Sequence, residues 1–264
     1  METVTIMVKT TYLLFINVRR FTVNTNQKIG VQVMLFTINS LSIMWVGFCQ
    51  GAVSQTSVLP VLLVHGYLED AKVWRTWEKL LSEDYIPFYT LTFTNDDRCG
   101  SATAHAVELH TIVPKILNVT GSDKVNIAAH SKGGLDSRAY LANGTDNVAN
   151  LIMIGTPNAG SPLPSNNICA PANLDLRPGA NVQQSARNVH VKYFTISGDW
   201  LPDIWGFGNG GNFYIPGPDD GMVSVSSVES QSYFKSLGRT SDAHINLLGP
   251  EEYAMARDIL IGNQ

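Results

Sequence analysis

The sequence predicts an α/β protein with a mostly parallel sheet covered by helices on both faces. Three observations predict it. Short apolar runs alternate along the chain with segments of helical spacing, the pattern of strand–helix–strand crossovers. The runs are continuous rather than alternating, as expected for strands buried on both faces. Ser131 stands between one such run and one such helix, with Ala129 before it and Gly133 after it. Small neighbours let the backbone turn sharply there, so the hydroxyl is lifted above the sheet edge.

Residues 58–64 form the first apolar run, closed by His65-Gly66-Tyr67. Helical spacing follows over 70–81, with Val73, Trp77, Leu80 and Leu81 on one side. The next strand is predicted at 87–93. A helix is predicted over 102–119, its apolar face built from Ala106, Leu109, Val113, Ile116 and Leu117, with Pro114 interrupting or kinking it. Residues 124–129 lead as a strand into Ser131, and 135–142 read as the helix behind it. Further strands are expected at 148–154 and 191–197, and a last helix at 250–262. Residues 158–190 hold prolines and asparagines and show little periodicity.

The 264-residue length suits one large domain after an N-terminal extension. Apolar residues make up 44% and charged residues 15%, enough for a core and sparing on the surface. The net charge of −4, with no basic run beyond Arg19-Arg20, argues against nucleic acid as a partner. From Ile29 to Leu68 there is no Asp, Glu, Lys or Arg. The apolar stretch 41–48, followed by small residues around Ala52-Val53-Ser54, reads as a signal peptide, so residues 1–54 are expected to be a leader and 55–264 the catalytic domain. A membrane anchor is the alternative. Secretion or another extracytoplasmic location is therefore expected. Cys49 falls in the leader, leaving Cys99 and Cys169 as a disulfide pair or as two buried thiols.

In open parallel sheets, sites lie at the carboxyl ends of the strands. His65, Ser131, Gly155 and Ser197-Gly198-Asp199 all fall there. A serine hydroxyl is a weak nucleophile and needs a base, itself oriented by a carboxylate. Downstream of Ser131 only two histidines remain. His190 precedes a strand, at the wrong end, whereas His244 precedes the last helix and is the expected base. Asp220 is the favoured acid, with Asp199 next; Asp219 and Asp242 are also nearby. The oxyanion donors are expected to be the backbone N–H groups of Lys132 and Tyr67. The Lys132 side chain would point to solvent or attract anionic substrates.

These residues resemble the secreted bacterial-type lipases and esterases of the α/β-hydrolase superfamily. The similarity is carried by Val64-His65-Gly66, Cys99-Gly100-Ser101, the 124–138 segment, Gly155-Thr156-Pro157, Leu176-Arg177-Pro178-Gly179 and Asp220-Gly221-Met222-Val223, in that order. The resemblance implies a serine esterase that acts on small ester or lipid substrates through an acyl-enzyme, with residues 158–190 as its cap or lid; exposed apolar surface there would mark contact with a lipid–water or polymer interface. It also supports Asp220 as the acid. Lactone or amide hydrolysis and acyl transfer use the same three groups and stay open, as does a binding protein on this scaffold. Three departures stand out: Ala129 for the first glycine of Gly-x-Ser-x-Gly, Asn158 where relatives often carry histidine, and Asn246 where calcium-binding relatives carry aspartate. No cofactor or metal is expected. His65, Gly66, Leu68, Trp200 and Trp205 are expected to contact substrate, with Leu201 and Phe207 beside them; simple core packing is the alternative for the aromatics.

Overall fold

The computed structural model describes residues 58–94, 99–163, 169–200 and 215–262. The leader, Trp205, Leu201 and Phe207 lie outside the described residues. Six strands, β1 (Val61–Val64), β2 (Phe88–Thr90), β3 (Val125–His130), β4 (Val148–Ile154), β5 (Lys192–Gly198) and β6 (Phe234–Thr240), form one sheet in the order β2-β1-β3-β4-β5-β6. Every neighbouring pair is parallel. The expected α/β architecture is what the chain adopts.

Side chains alternate across the pleat and meet apolar surface on both sides. Leu62, Val64, Val125, Ile127, Ala129, Leu151 and Met153 pack with Leu109, Val113 and Tyr140 of α2 (Ala102–Thr120) and α3 (Lys132–Leu141). Val61, Leu63, Ala128, Ile152, Ile154 and Phe194 face the other way. They pack on Trp77 and Leu81 of α1 (Arg75–Glu83) and Tyr253, Ala256 and Ile259 of α6 (Pro250–Leu260). This two-sided burial explains why the strands read as unbroken apolar runs.

Several elements depart from expectation. The helix expected at 70–81 begins as a 3-10 turn, Ala71–Trp74, capped by the Asp70 carboxylate on the Lys72 N–H. α2 continues through Pro114 without a break, from a Ser101 cap to a left-handed Gly121. Two short helices escaped the periodicity: α4 (Ala170–Leu176), inside the proposed cap, and α5 (Val225–Val228). β6 was also missed. It is an edge strand with only its last residue buried, so it lacks an apolar run.

The chain starts at β1, steps outward to β2, and returns across β1 to β3. The winding direction therefore reverses between β1 and β3. The crevice at their carboxyl ends is the place where such sheets hold ligands.

Candidate active site

Ser131 follows β3 and precedes α3, with φ 52° and ψ −127°. A non-glycine residue held at positive φ is strained, and here the strain presents the hydroxyl at the sheet rim. The turn depends on close backbone approach. A Cβ at Gly66 would lie 2.8 Å from the Ser131 Cβ and 3.2 Å from the His130 carbonyl oxygen. Only glycine lets the turn after β1 sit this near the serine.

The Ser131 hydroxyl donates to His244 Nε2 at 2.8 Å, and His244 Nδ1–H donates to Asp220 Oδ2 at 2.7 Å. All three side chains are buried, Ser131 at 8% exposure. Asp220 sits in a tight turn whose Gly221 has φ +92°. Its second oxygen accepts N–H bonds from Met222 (2.9 Å) and Val223 (2.7 Å). The His244 amide donates to the Asp220 carbonyl at 2.8 Å, so backbone as well as side chain fixes the imidazole. A Cβ at Gly155 (φ +59°) would approach His244 Nδ1 to 3.2 Å, which keeps that end of β4 bare. Asp199 is held instead through its N–H to Thr240, and His190 lies on the surface beside Asp146.

An apolar cavity of about 180 Å³ opens onto Ser131 and His244. Its walls are Tyr67, then Pro157, Ser161 and Leu163 after β4, Asn173 and Leu176 of α4, and Met222 and Val223 of the acid turn. Four of these lie within 158–190, the region expected to form a cap. A Cys99–Cys169 disulfide anchors that region. The Ala172 amide bonds the Cys99 carbonyl, and the Asp175 carboxylate accepts the Ala102 N–H at 2.6 Å. Together these bonds lash α4 to the start of α2.

Other expected contacts fall elsewhere. His65 is fully buried and does not line the cavity. Its Nδ1–H donates to the Gly66 carbonyl (2.8 Å) and its Nε2 accepts the Phe93 N–H (3.2 Å), so the ring staples two loops together in neutral form. Burial pushes its pKa down accordingly. Leu68, in a left-handed conformation, and Trp200, whose ring borders Gly221, are exposed beside the cavity rather than in its wall.

Lys132 corrects both readings of its side chain. It is 1% exposed, and its ammonium donates to the buried Asp136 carboxylate one helical turn on. His105 Nδ1–H donates to the other oxygen of Asp136 at 2.7 Å. A fully buried cation reaches neither solvent nor substrate. Asn158 is likewise structural: it accepts from Arg138 at 2.9 Å and donates to the Val228 carbonyl at 2.9 Å, joining α3 to α5. A further pair, Glu69 and His130, was not singled out from the sequence, because nothing in spacing alone brings those two positions together.

Among the described residues no cluster of three or more His, Cys, Asp or Glu could hold a metal ion, and no helix is long and apolar enough to cross a membrane.

Residues 60–189 match the model of the α/β hydrolase fold family. Over 108 residues the chain is 32% identical to a triacylglycerol lipase of Pseudarthrobacter phenanthrenivorans, covering 39% of this chain and 34% of that protein. It is equally similar to a triacylglycerol lipase of Burkholderia plantarii, covering 30% of the relative. The chain thus aligns with about a third of the length of these curated relatives. The mature lipase BlEst2 of Bacillus licheniformis superposes with a TM-score of 0.62 at 18% identity, covering 78% of this chain and 93% of that one. A metagenomic carboxyl esterase, MGS0156, superposes at 0.55 with 15% identity, covering 72% and 65%. The sheet order, the turn carrying Ser131 and these matches agree: the chain has the α/β-hydrolase fold.

Proposed function

We propose that this protein is a serine carboxylic-ester hydrolase that works through an acyl-enzyme. The observation that carries the reading is the unbroken hydrogen-bond chain from Ser131 through His244 to Asp220 at the mouth of an apolar cavity. His244 takes the Ser131 proton as the oxygen attacks the ester carbonyl, and returns it to the leaving alkoxide. Asp220 holds the tautomer with a free Nε2 lone pair and stabilises the imidazolium that forms. Water then repeats the sequence on the acyl-enzyme. The N–H of Lys132, at the positive end of α3, and that of Tyr67 would receive the developing oxyanion.

The cavity is smaller than the roughly 300–1,000 Å³ of drug-sized ligand sites, which favours a short acyl group. Its surroundings are apolar. Among the described residues, exposed large apolar side chains adjoin it: Met222 in the wall, Trp200 against Gly221, and Leu68, Leu174 and Ile245 next in sequence to the lining residues Tyr67, Asn173 and His244. Such a rim suits substrates presented at a lipid or polymer surface. The relatives named as triacylglycerol lipases support the same substrate class. The disulfide is compatible with an extracytoplasmic location, which we adopt as part of the proposal.

The test is hydrolysis of p-nitrophenyl esters from acetyl to palmitoyl by the wild type and Ser131→Ala, with fluorophosphonate labelling of Ser131. Turnover that falls with acyl length and vanishes in Ser131→Ala is expected. Equal rates in the two proteins would mean a binding protein on a hydrolase scaffold.

A further inference from the structure

We propose that Glu69 and His130 form an ion pair, buried at the imidazole and partly exposed at the carboxylate, that acts as a positioning device, tying the Gly66 turn to the backbone of His244. The inference rests on the proposed ester-hydrolase function. Glu69 Oε2 accepts the Gly66 N–H at 2.7 Å and the His130 Nδ1–H at 2.9 Å. The other ring nitrogen of His130 donates to the His244 carbonyl oxygen at 3.0 Å. A carbonyl oxygen can only accept, so His130 Nε2 carries a proton. A carboxylate that already accepts an amide proton calls for a second proton on Nδ1. The geometry is that of an imidazolium donating from both ends.

One bridge therefore links three parts of the site. It holds the turn that carries the proposed Tyr67 donor, it starts from the residue immediately before Ser131, and it ends on the residue proposed as base. The electrostatics agree. Burial alone would lower the His130 pKa, yet the Glu69 charge, its hydrogen bond and the His244 carbonyl raise it above the ordinary histidine value. Glu69 is held below the usual carboxylate range chiefly by the His130 charge, against the opposing effect of its own burial. The groups facing His130 are Glu69 from the turn after β1, Asp220 from the acid turn after β5, and the His244 ring, 5.0 Å away between centroids, from the loop after β6. The linkage signs follow. The contribution of Glu69 is lost as pH falls through its depressed folded value. That of His130 is lost as pH rises through its raised folded value. The bridge is intact between the two, and it lets go of the base's backbone on the alkaline side.

The test has two arms. In the first, histidine-labelled wild type is titrated by ¹⁵N NMR. His130 is expected to carry protons on both ring nitrogens near neutrality and to titrate above the ordinary value of about 6.5. In the second, kcat and KM for p-nitrophenyl butyrate are followed against pH in wild type and Glu69→Gln, which keeps an acceptor for Gly66 but removes the charge. Wild-type kcat should decline on the alkaline side in step with the His130 titration. Glu69→Gln should lower kcat about tenfold with KM nearly unchanged, as expected for misplaced rather than missing groups, and shift the alkaline decline to lower pH. A neutral His130 near neutrality, or a wild-type alkaline limb that does not track His130, overturns the proposal without need of the variant. So does a Glu69→Gln protein with the wild-type profile. A wild type with no esterase activity sinks the ester-hydrolase reading and the positioning role with it, while the NMR arm still reports whether the ion pair exists.

Discussion

Ser131 shows how little freedom a residue at a strand-to-helix turn has. It holds a positive φ, and Gly66 leaves the space facing its Cβ bare. Gly66→Ala places a methyl 2.8 Å from the Ser131 Cβ, and we expect kcat on p-nitrophenyl butyrate to fall by about two orders of magnitude as the turn moves aside. Asp220 holds the imidazole through one oxygen and is itself held by two amides through the other. Asp220→Asn keeps the size but favours the wrong tautomer, so kcat should drop by on the order of 10⁴. Steady-state kinetics decide this. A near-normal kcat in Asp220→Asn would move the acid role to Asp199, the next candidate. Ser131 and His244 were legible as a candidate nucleophile and base, because such groups have few candidates once strand ends are known, whereas Asp199, Asp219, Asp220 and Asp242 all stayed open for the acid. The burial of Lys132 was not legible, since its partner Asp136 lies on a helix whose inward face the spacing did not reveal.

At the scale of elements, α4 is the piece the sequence hid. Seven residues with two interior polar positions give no clear period, and the helix is held by what it touches rather than by propensity. The Cys99–Cys169 bridge closes a loop of 70 residues, for which chain entropy gives a stabilisation of about 4 kcal/mol at most. The Cys99→Ser/Cys169→Ser double variant is expected to lose part or all of that in urea unfolding. It should also raise KM, because Asn173 and Leu176 of α4 form the cavity wall. Beyond the His244 turn, Glu252 closes the start of α6 by accepting the Gly249 N–H at 3.0 Å, and burial pushes its carboxyl pKa up. A raised folded pKa means the native state binds the proton more tightly, so this group erodes stability as pH rises from the ordinary glutamate range. Glu252→Gln should flatten that dependence, with a Tm that changes less than the wild type's between acid and neutral buffer.

Over the whole molecule, the sheet collects groups far apart in sequence onto one rim. Ser131 comes from the end of β3, Asp220 from the stretch after β5 and His244 from that after β6, while exposed Met222 lines the same opening and exposed Trp200 borders the acid turn beside it. If that rim meets an apolar substrate surface, Leu68→Ser/Ile245→Ser should slow hydrolysis of emulsified tributyrin several-fold, through lost apolar contact, while leaving soluble p-nitrophenyl butyrate little changed. Equal losses on both substrates would point to damage at the site instead. The sequence by itself determined the parallel α/β architecture and the tight turn that carries Ser131, since buried strands and a small-residue turn are local demands that local composition must meet. It left β6 unread, because an edge strand needs no continuous apolar run. It left α4 unread because that helix is defined by a disulfide and neighbouring loops. Which carboxylate meets His244, that His65 serves as a loop staple, and that Glu69 reaches His130 were decided only by the tertiary structure. Those are contacts between distant segments, and the pattern of either segment alone carries no record of the other.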